Sequence, residues 1–213
     1  MSASSDSLNK RDKQKNPTVL AGMLAQYVKD ERSGIFVPLP GPQTETFRTQ
    51  AFETLYGGAA GSGKSVLLLG AGRLNHKSVL LLRRTFPQLE DTLILKSKQM
   101  YKQVEYYNAS NHVWTFPNGC RIRFGHLEND DAVYQYQSAE FDLIGFDELT
   151  QFTQVQYEYL LSRARTTVPG QRVRIIACTN PGGQGNDWVM QRWSPWLDPT
   201  HPNPAKGGEI RWF

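Results

Sequence analysis

The sequence predicts an α/β domain of three layers, a mostly parallel central sheet between helices. Three observations predict it. The pattern G-x-x-x-x-G-K-[ST] occurs at Gly58-Ala59-Ala60-Gly61-Ser62-Gly63-Lys64-Ser65, after the short strand-like Thr54-Leu55-Tyr56 and before the helical run Val66-Leu67-Leu68-Leu69 with Ala71 and Leu74. Strand, loop and helix in that order are what a phosphate-binding loop needs. Ser78-Val79-Leu80-Leu81-Leu82 is a continuous apolar run, as in a strand covered on both faces. Phe141-Asp142-Leu143-Ile144-Gly145-Phe146 and Arg174-Ile175-Ile176-Ala177-Cys178 are further apolar strands, each ending in polar residues.

The remaining elements follow from pattern. Residues 1–16 read as a disordered basic tail, with Lys10, Arg11, Lys13 and Lys15 against Asp6 and Asp12. Val19, Leu20, Met23, Leu24, Tyr27 and Val28 share one helical face, which predicts a helix over 18–32. Val37-Pro38-Leu39-Pro40-Gly41-Pro42 reads as a rigid extended connector, and Gln43 to Gln50 as a second short helix. His112 to Phe116 and Arg121 to Phe124 alternate around Pro117-Asn118-Gly119, a hairpin signal. Val155 to Arg165 reads as a helix with Leu160, Leu161 and Ala164 inward. After Gly182 the composition shifts to Trp, Pro, Gly and Asn, and Glu209-Ile210-Arg211-Trp212-Phe213 reads as a strand cut off partway, which suggests a fragment of a longer protein.

Composition narrows the function classes. The 213 residues are 39% hydrophobic and 21% charged, ordinary for a soluble globular domain. No apolar run approaches the roughly 18 residues of a membrane span, and Met1 to Ser7 has no apolar core for a secretory signal. Two cysteines, Cys120 and Cys178, make no disulfide framework and fit a reducing cytoplasm. His76, His112, His126 and His201 show no metal-ligand spacing with them. A net charge of +4 and a pI near 9.1 permit contact with nucleic acid.

The loop requires small side chains because its backbone N–H groups wrap the β- and γ-phosphates of a nucleotide. Lys64 places a cation on those phosphates, and Ser65 offers a hydroxyl to Mg²⁺. Asp147, at the end of the strand from Phe141, would hold the Mg²⁺ shell with Ser65. Glu148 would polarise an attacking water, and this second acid favours hydrolysis over transfer to a substrate hydroxyl. In a parallel sheet the strand ends meet at the ligand crevice, so Thr179 and Asn180 are expected to face the γ-phosphate.

Several segments together resemble the large terminase subunit of tailed bacteriophages: Gly-Pro-Gln-Thr, Gly-Gly-Ala-Ala-Gly-Ser-Gly-Lys-Ser, Leu-Leu-Arg-Arg-Thr-Phe-Pro-Gln-Leu, Phe-Asp-Leu-Ile-Gly-Phe-Asp-Glu, Leu-Leu-Ser-Arg-Ala-Arg and Thr-Asn-Pro-Gly-Gly. The resemblance covers about residues 38–213. It implies a RecA-like, Mg²⁺-dependent ATPase fold and a motor that drives double-stranded DNA into a procapsid in the host cytoplasm. It further implies a homo-oligomeric ring on the portal protein and recruitment by a small terminase subunit. Gln43 then looks like the glutamine that reads adenine, since an amide can bond adenine N6 and N7 together. The expected organisation is the tail at 1–16, an ATPase core at 17–185 that includes this adenine-binding segment, and the start of a lid or linker at 186–213. Many family members carry an arginine inside the phosphate loop, where this chain has Ala59 and Ala60. Arg163 and Arg165 are candidates for a finger supplied to a neighbouring subunit, with Arg83 and Arg84 as alternatives and surface salt bridging an equal role for any of them. No acidic cluster of the family's C-terminal nuclease occurs in these residues. Two rivals remain: a helicase-type DNA-dependent ATPase, for which no second RecA-like lobe fits, and a nucleotide-gated assembly protein with little turnover, against which Glu148 argues.

Overall fold

The computed structural model describes residues 36–59, 61–101, 106–198 and 200–201. The tail at 1–16, the helix expected at 18–32, Ala60 of the loop and the strand expected at 209–213 lie outside the described residues. The chain divides into Met1–Val37 and Pro38–Phe213, and the second unit holds every element below.

Its strands are β1 (Glu53–Gly57), β2 (Ser78–Arg83), β3 (Tyr107–Asn108), β4 (Val113–Thr115), β5 (Arg121–His126), β6 (Leu143–Asp147) and β7 (Arg174–Thr179). They form one sheet in the order β1-β7-β6-β2-β5-β4-β3. The first five in that order run parallel; β4 and β3 add antiparallel at one edge. Every residue of β6 and β7 is buried, which is why these strands read as continuous apolar runs.

The helices are α1 (Pro42–Arg48), α2 (Lys64–Asn75), α3 (Phe86–Leu89), α4 (Leu95–Tyr101), α5 (Gln154–Leu161) and α6 (Asn186–Leu197). A π-helical turn, Glu90–Ile94, joins α3 to α4. α2 packs closely on one face of the sheet. A Cβ at Gly145 would lie 2.6 Å from Leu81 Cδ2 and 3.0 Å from Leu68 Cδ2, so glycine in β6 is what lets this helix approach. The other face carries a cluster that includes Leu55, Leu80, Ile144, Phe146, Tyr157, Leu160 and Trp193. The buried carboxylate of Asp142 accepts from Lys77 N at 2.8 Å and Ser78 N at 3.1 Å, tying the starts of β2 and β6 together.

Two features differ from the sequence reading and two add to it. The expected hairpin forms, β4 pairing antiparallel with β5, and it joins the main sheet because β5 also pairs parallel with β2 through Val79↔Ile122 and Leu81↔Phe124. The helix expected at 155–165 ends at Leu161; Arg165 N instead donates to Phe141 O, and Ala164 bridges Phe141, so this segment turns extended along the sheet margin. The helical stretch Phe86–Tyr101 was not anticipated, although Leu89, Leu93, Ile94, Ser97 and Tyr101 lie at helical spacing and are buried. The stretch at 186–213 was expected to begin a lid or linker. Its described part includes α6, which buries Val189 and Trp193 in the same cluster as Leu55.

α6 is held to the sheet edge by a partly buried ion pair. Arg192 donates to both Glu53 oxygens at 2.8 and 3.0 Å, and Tyr157 Oη donates to Glu53 at 3.0 Å. α1 is held by Arg174 of β7, whose guanidinium donates to Thr46 O at 2.9 Å and Phe47 O at 3.3 Å, carbonyls at the helix end that lack helical partners. Burial lowers the Arg174 pKa to about 10, which leaves it charged at neutral pH.

Candidate active site

β1, β6 and β7 run parallel and side by side, so the residues that follow them meet at one end of the sheet. Gly57 is opposite Thr179, and Asp147 opposite Cys178. This register brings Gly58, Asp147, Glu148 and Asn180 together from distant parts of the chain.

The loop between β1 and α2 turns on Gly61 at φ +84° and Gly63 at φ +76°, conformations that glycine adopts without strain. Gly63 sits at the start of α2, whose first amides point into the loop. A Cβ on Gly63 would overlap Gln43 Nε2, and one on Gly58 would lie 3.0 Å from Ser62 Oγ. Tyr56 Oη donates to Ser62 O at 3.2 Å and steadies the loop from the strand side, a role that no sequence signal announced.

Lys64 is buried, with its ammonium donating to Gly58 O (2.7 Å), Ala59 O (2.9 Å), Ser62 Oγ (3.2 Å) and Asn180 Oδ1 (2.7 Å). Asn180 also reaches Glu148, donating from Nδ2 to Oε1 at 2.9 Å and from its backbone N to Oε2 at 3.3 Å. Lysine, asparagine and glutamate thus form one continuous polar chain. Glu148 itself sits at φ +64°, ψ +65°, a left-handed conformation that costs a non-glycine residue about 1–2 kcal/mol. Strain of this kind gathers at functional positions.

Ser65 Oγ donates to Asp147 at 3.2 Å from each carboxylate oxygen. Burial is the largest influence on Asp147 and pushes its carboxyl above the ordinary range, against the opposing pull of Arg83. Arg83 Nε lies 3.6 Å from Asp147 Oδ2. Ser65 and Asp147 supply one hydroxyl and one carboxylate. Among the described residues no group of three or more His, Cys, Asp or Glu could hold a metal by itself. A site with so few protein ligands suits Mg²⁺, which is bound through one or two carboxylates with substrate phosphates and water completing its shell. The small-residue loop, the helix start and this donor set therefore fit a nucleoside triphosphate with Mg²⁺.

The other expected residues are placed as follows. Thr179 was expected to face the phosphates; its buried hydroxyl donates to Asn180 O at 2.9 Å and meets Thr150 Oγ1 at 3.2 Å, so it braces the turn after Glu148. Gln43 is buried against the loop. Its Oε1 accepts from Leu39 N at 2.5 Å and its Nε2 donates to Gly63 O at 3.0 Å, so the amide ties the N-terminal connector to the loop. Arg163 and Arg165 lie beside Phe141, before the first residue of β6, at the opposite end of the sheet from Glu148. Arg165 pairs with Glu140 at 3.0 Å, and Arg163 donates to Gln137 O with its guanidinium over the Tyr159 ring. Arg84 donates to Gln156 and to Glu128 O. Of the four arginines, only Arg83 is brought to the loop's own site. Burial holds the Cys178 thiol well above its ordinary pKa, so the cysteine next to this site is an inert core residue.

A family model described as "Terminase large subunit, T4likevirus-type, N-terminal" matches residues 55–207, from β1 past the end of α6. This chain belongs to the terminase large-subunit family. Solved terminases share the fold. The large terminase of the thermophilic bacteriophage D6E, in crystal form 3, aligns with a TM-score of 0.54 at 16% identity, over 83% of this chain and 44% of that one. The same protein in complex with ADP aligns with a TM-score of 0.55 at 17% identity, over 80% of this chain and 44% of that one. The present terminase chain spans less than half the length of those proteins. The likeness agrees with the RecA-like architecture implied by the sequence resemblance. No curated protein matches the terminase chain.

Proposed function

We propose that this chain is the Mg²⁺-dependent ATPase motor of a phage terminase large subunit, and that ATP hydrolysis by it drives double-stranded DNA into a procapsid. The observation that carries the reading is the polar chain from Lys64 through Asn180 to Glu148, set beside Ser65 and Asp147. A loop built only to bind nucleotide has no use for a strained carboxylate wired to its lysine.

Each residue's part follows from its position. Lys64 exchanges its loop carbonyls for phosphate oxygens. When the ammonium leaves Asn180 Oδ1, the amide is free to turn, and its grip on Glu148 changes with it. Asn180 thereby couples occupancy of the loop to the position of the base. Glu148 orients water and takes its proton. Ser65 and Asp147 would hold Mg²⁺, which would supply charge neutralisation at the phosphates. Arg83 keeps the Asp147 carboxylate in place. Arg163 and Arg165 would reach a nucleotide only in a neighbouring copy, and a ring on the portal supplies such neighbours. The ADP complex of the D6E terminase supports a nucleotide in this fold.

The test is a Mg²⁺-dependent phosphate-release assay on the purified chain, with Lys64→Ala as the paired variant. Turnover should be present in the former and absent in the latter, with equal melting temperatures. Normal turnover in Lys64→Ala refutes the site. The packaging role is tested in the whole protein with portal-bearing procapsids and small subunit, where protection of duplex DNA from nuclease should require ATP and Glu148. In mixtures, Arg163→Ala/Arg165→Ala subunits should regain turnover beside Glu148→Gln subunits if those arginines act between copies. No recovery removes them from the chemistry.

A further inference from the structure

Away from the nucleotide site, the strand β5 presents an open, basic groove. Its side chains alternate: Ile122 and Phe124 are buried, while Arg121 is exposed and Arg123 partly so. The layer over that second face ends at Tyr136, whose ring lies under the Arg123 guanidinium at 5.0 Å. Beyond it a cavity of about 470 Å³ is lined by Ser110, Asn111, His112, Arg121, Arg123 and Gln135, among others. No carboxylate lines this cavity among the described residues, and neither arginine is paired with one. The adjoining cavity contains Glu140, but that charge is already met by Arg165 at 3.0 Å.

We propose that this groove is a binding surface for the sugar–phosphate backbone of nucleic acid. The inference rests on the packaging reading only in taking that nucleic acid to be duplex DNA. Two features select a phosphate backbone. Arg121 and Arg123 lie two residues apart on one strand, so their Cα atoms are about 6.8 Å apart, close enough for the two guanidinium groups to reach neighbouring phosphates of one DNA strand. Arginine with serine, asparagine and glutamine is also the donor set that contacts phosphates in protein–DNA complexes. An acidic protein partner would want an exposed aromatic or apolar anchor, and here the large apolar lining residues, Val113 and Phe124, are buried. The groove is reached from the sheet face and uses no residue of the nucleotide site.

The experiment measures affinity for a short duplex by fluorescence anisotropy across a salt series, for the wild-type chain and Arg121→Ala/Arg123→Ala. Two lost phosphate contacts should make the slope of log K against log[salt] shallower by about 1.8, so the fall in affinity between 50 and 200 mM salt becomes about 12-fold smaller. Basal ATP turnover and melting temperature should not change. If Arg123→Ala disturbs Tyr136 and lowers the melting temperature, Arg121→Ala alone, at an exposed side chain, should still reduce the slope by about 0.9. An unchanged slope overturns the proposal. A wild-type chain that hydrolyses ATP and does not bind the duplex also overturns it, and leaves the ATPase reading standing. Displacement of the duplex by polyglutamate of equal charge would reassign the groove to acidic proteins and overturn the nucleic-acid assignment.

Discussion

Replacing Glu148 with glutamine separates chemistry from structure in this site. The carboxylate accepts two hydrogen bonds from Asn180, at 2.9 and 3.3 Å, one on each oxygen. Glutamine offers one oxygen and one NH₂ group, so one of those donors faces another donor. Hydrogen bonds to a charged acceptor are worth about 1.5–3 kcal/mol each and neutral ones about 1, so replacing two of the former by one of the latter should cost about 2–5 kcal/mol. In a chain of this size that lowers the melting temperature by roughly 4–20 °C. The left-handed backbone at this position burdens both side chains equally and cancels. Loss of the general base removes a factor of about 10²–10⁴, or about 2.7–5.4 kcal/mol of barrier. The variant should therefore remain folded, bind a fluorescent ATP analogue within a few-fold of wild type, and hydrolyse ATP at least about 100-fold more slowly in single-turnover phosphate release. Turnover within about ten-fold of wild type, with binding intact, would refute the assignment of Glu148 as base.

Three further outcomes follow from packing and charge. Asp147 has its carboxyl raised by burial, so its contribution to stability is fully present below the ordinary value of 3.8 and is lost as pH rises through the higher folded value. Asp147→Asn, melted at pH 7 without Mg²⁺ or nucleotide, should match or exceed wild type, with the difference shrinking in acid; a clearly lower melting temperature at pH 7 counts against this. Gly145→Ala puts a methyl group 2.6 Å from Leu81 and 3.0 Å from Leu68 and should cost about 1–3 kcal/mol in urea unfolding at unchanged m-value. Glu53→Ala strands the Arg192 guanidinium and the Tyr157 hydroxyl, loosening α6 from β1, and should cost about 2–3 kcal/mol by the same measurement.

The sequence by itself determined the phosphate-binding loop and the residues expected around it. Local rules act over a few residues, and they suffice for a loop whose backbone needs Gly61 and Gly63, for a lysine and serine at the following helix start, and for acids at the end of an apolar strand. They also identified the strands of the sheet interior, because a strand buried on both faces must be apolar at every position, as β6 and β7 are. Tertiary structure decided everything that depends on which elements are neighbours. That Asn180 bonds both Lys64 and Glu148 follows from β7 lying between β1 and β6, an order that no local pattern encodes. Arg83 reaches Asp147 because β2 lies beside β6. Arg163 and Arg165 have the charge of candidate fingers, yet the chain leaves its helix at Leu161 and carries them to the far end of the sheet. The open face at Arg121 and Arg123 was invisible for the same reason. An alternating strand reports that one face meets solvent, whereas the cover stopping at Tyr136 is a property of the packed layers alone.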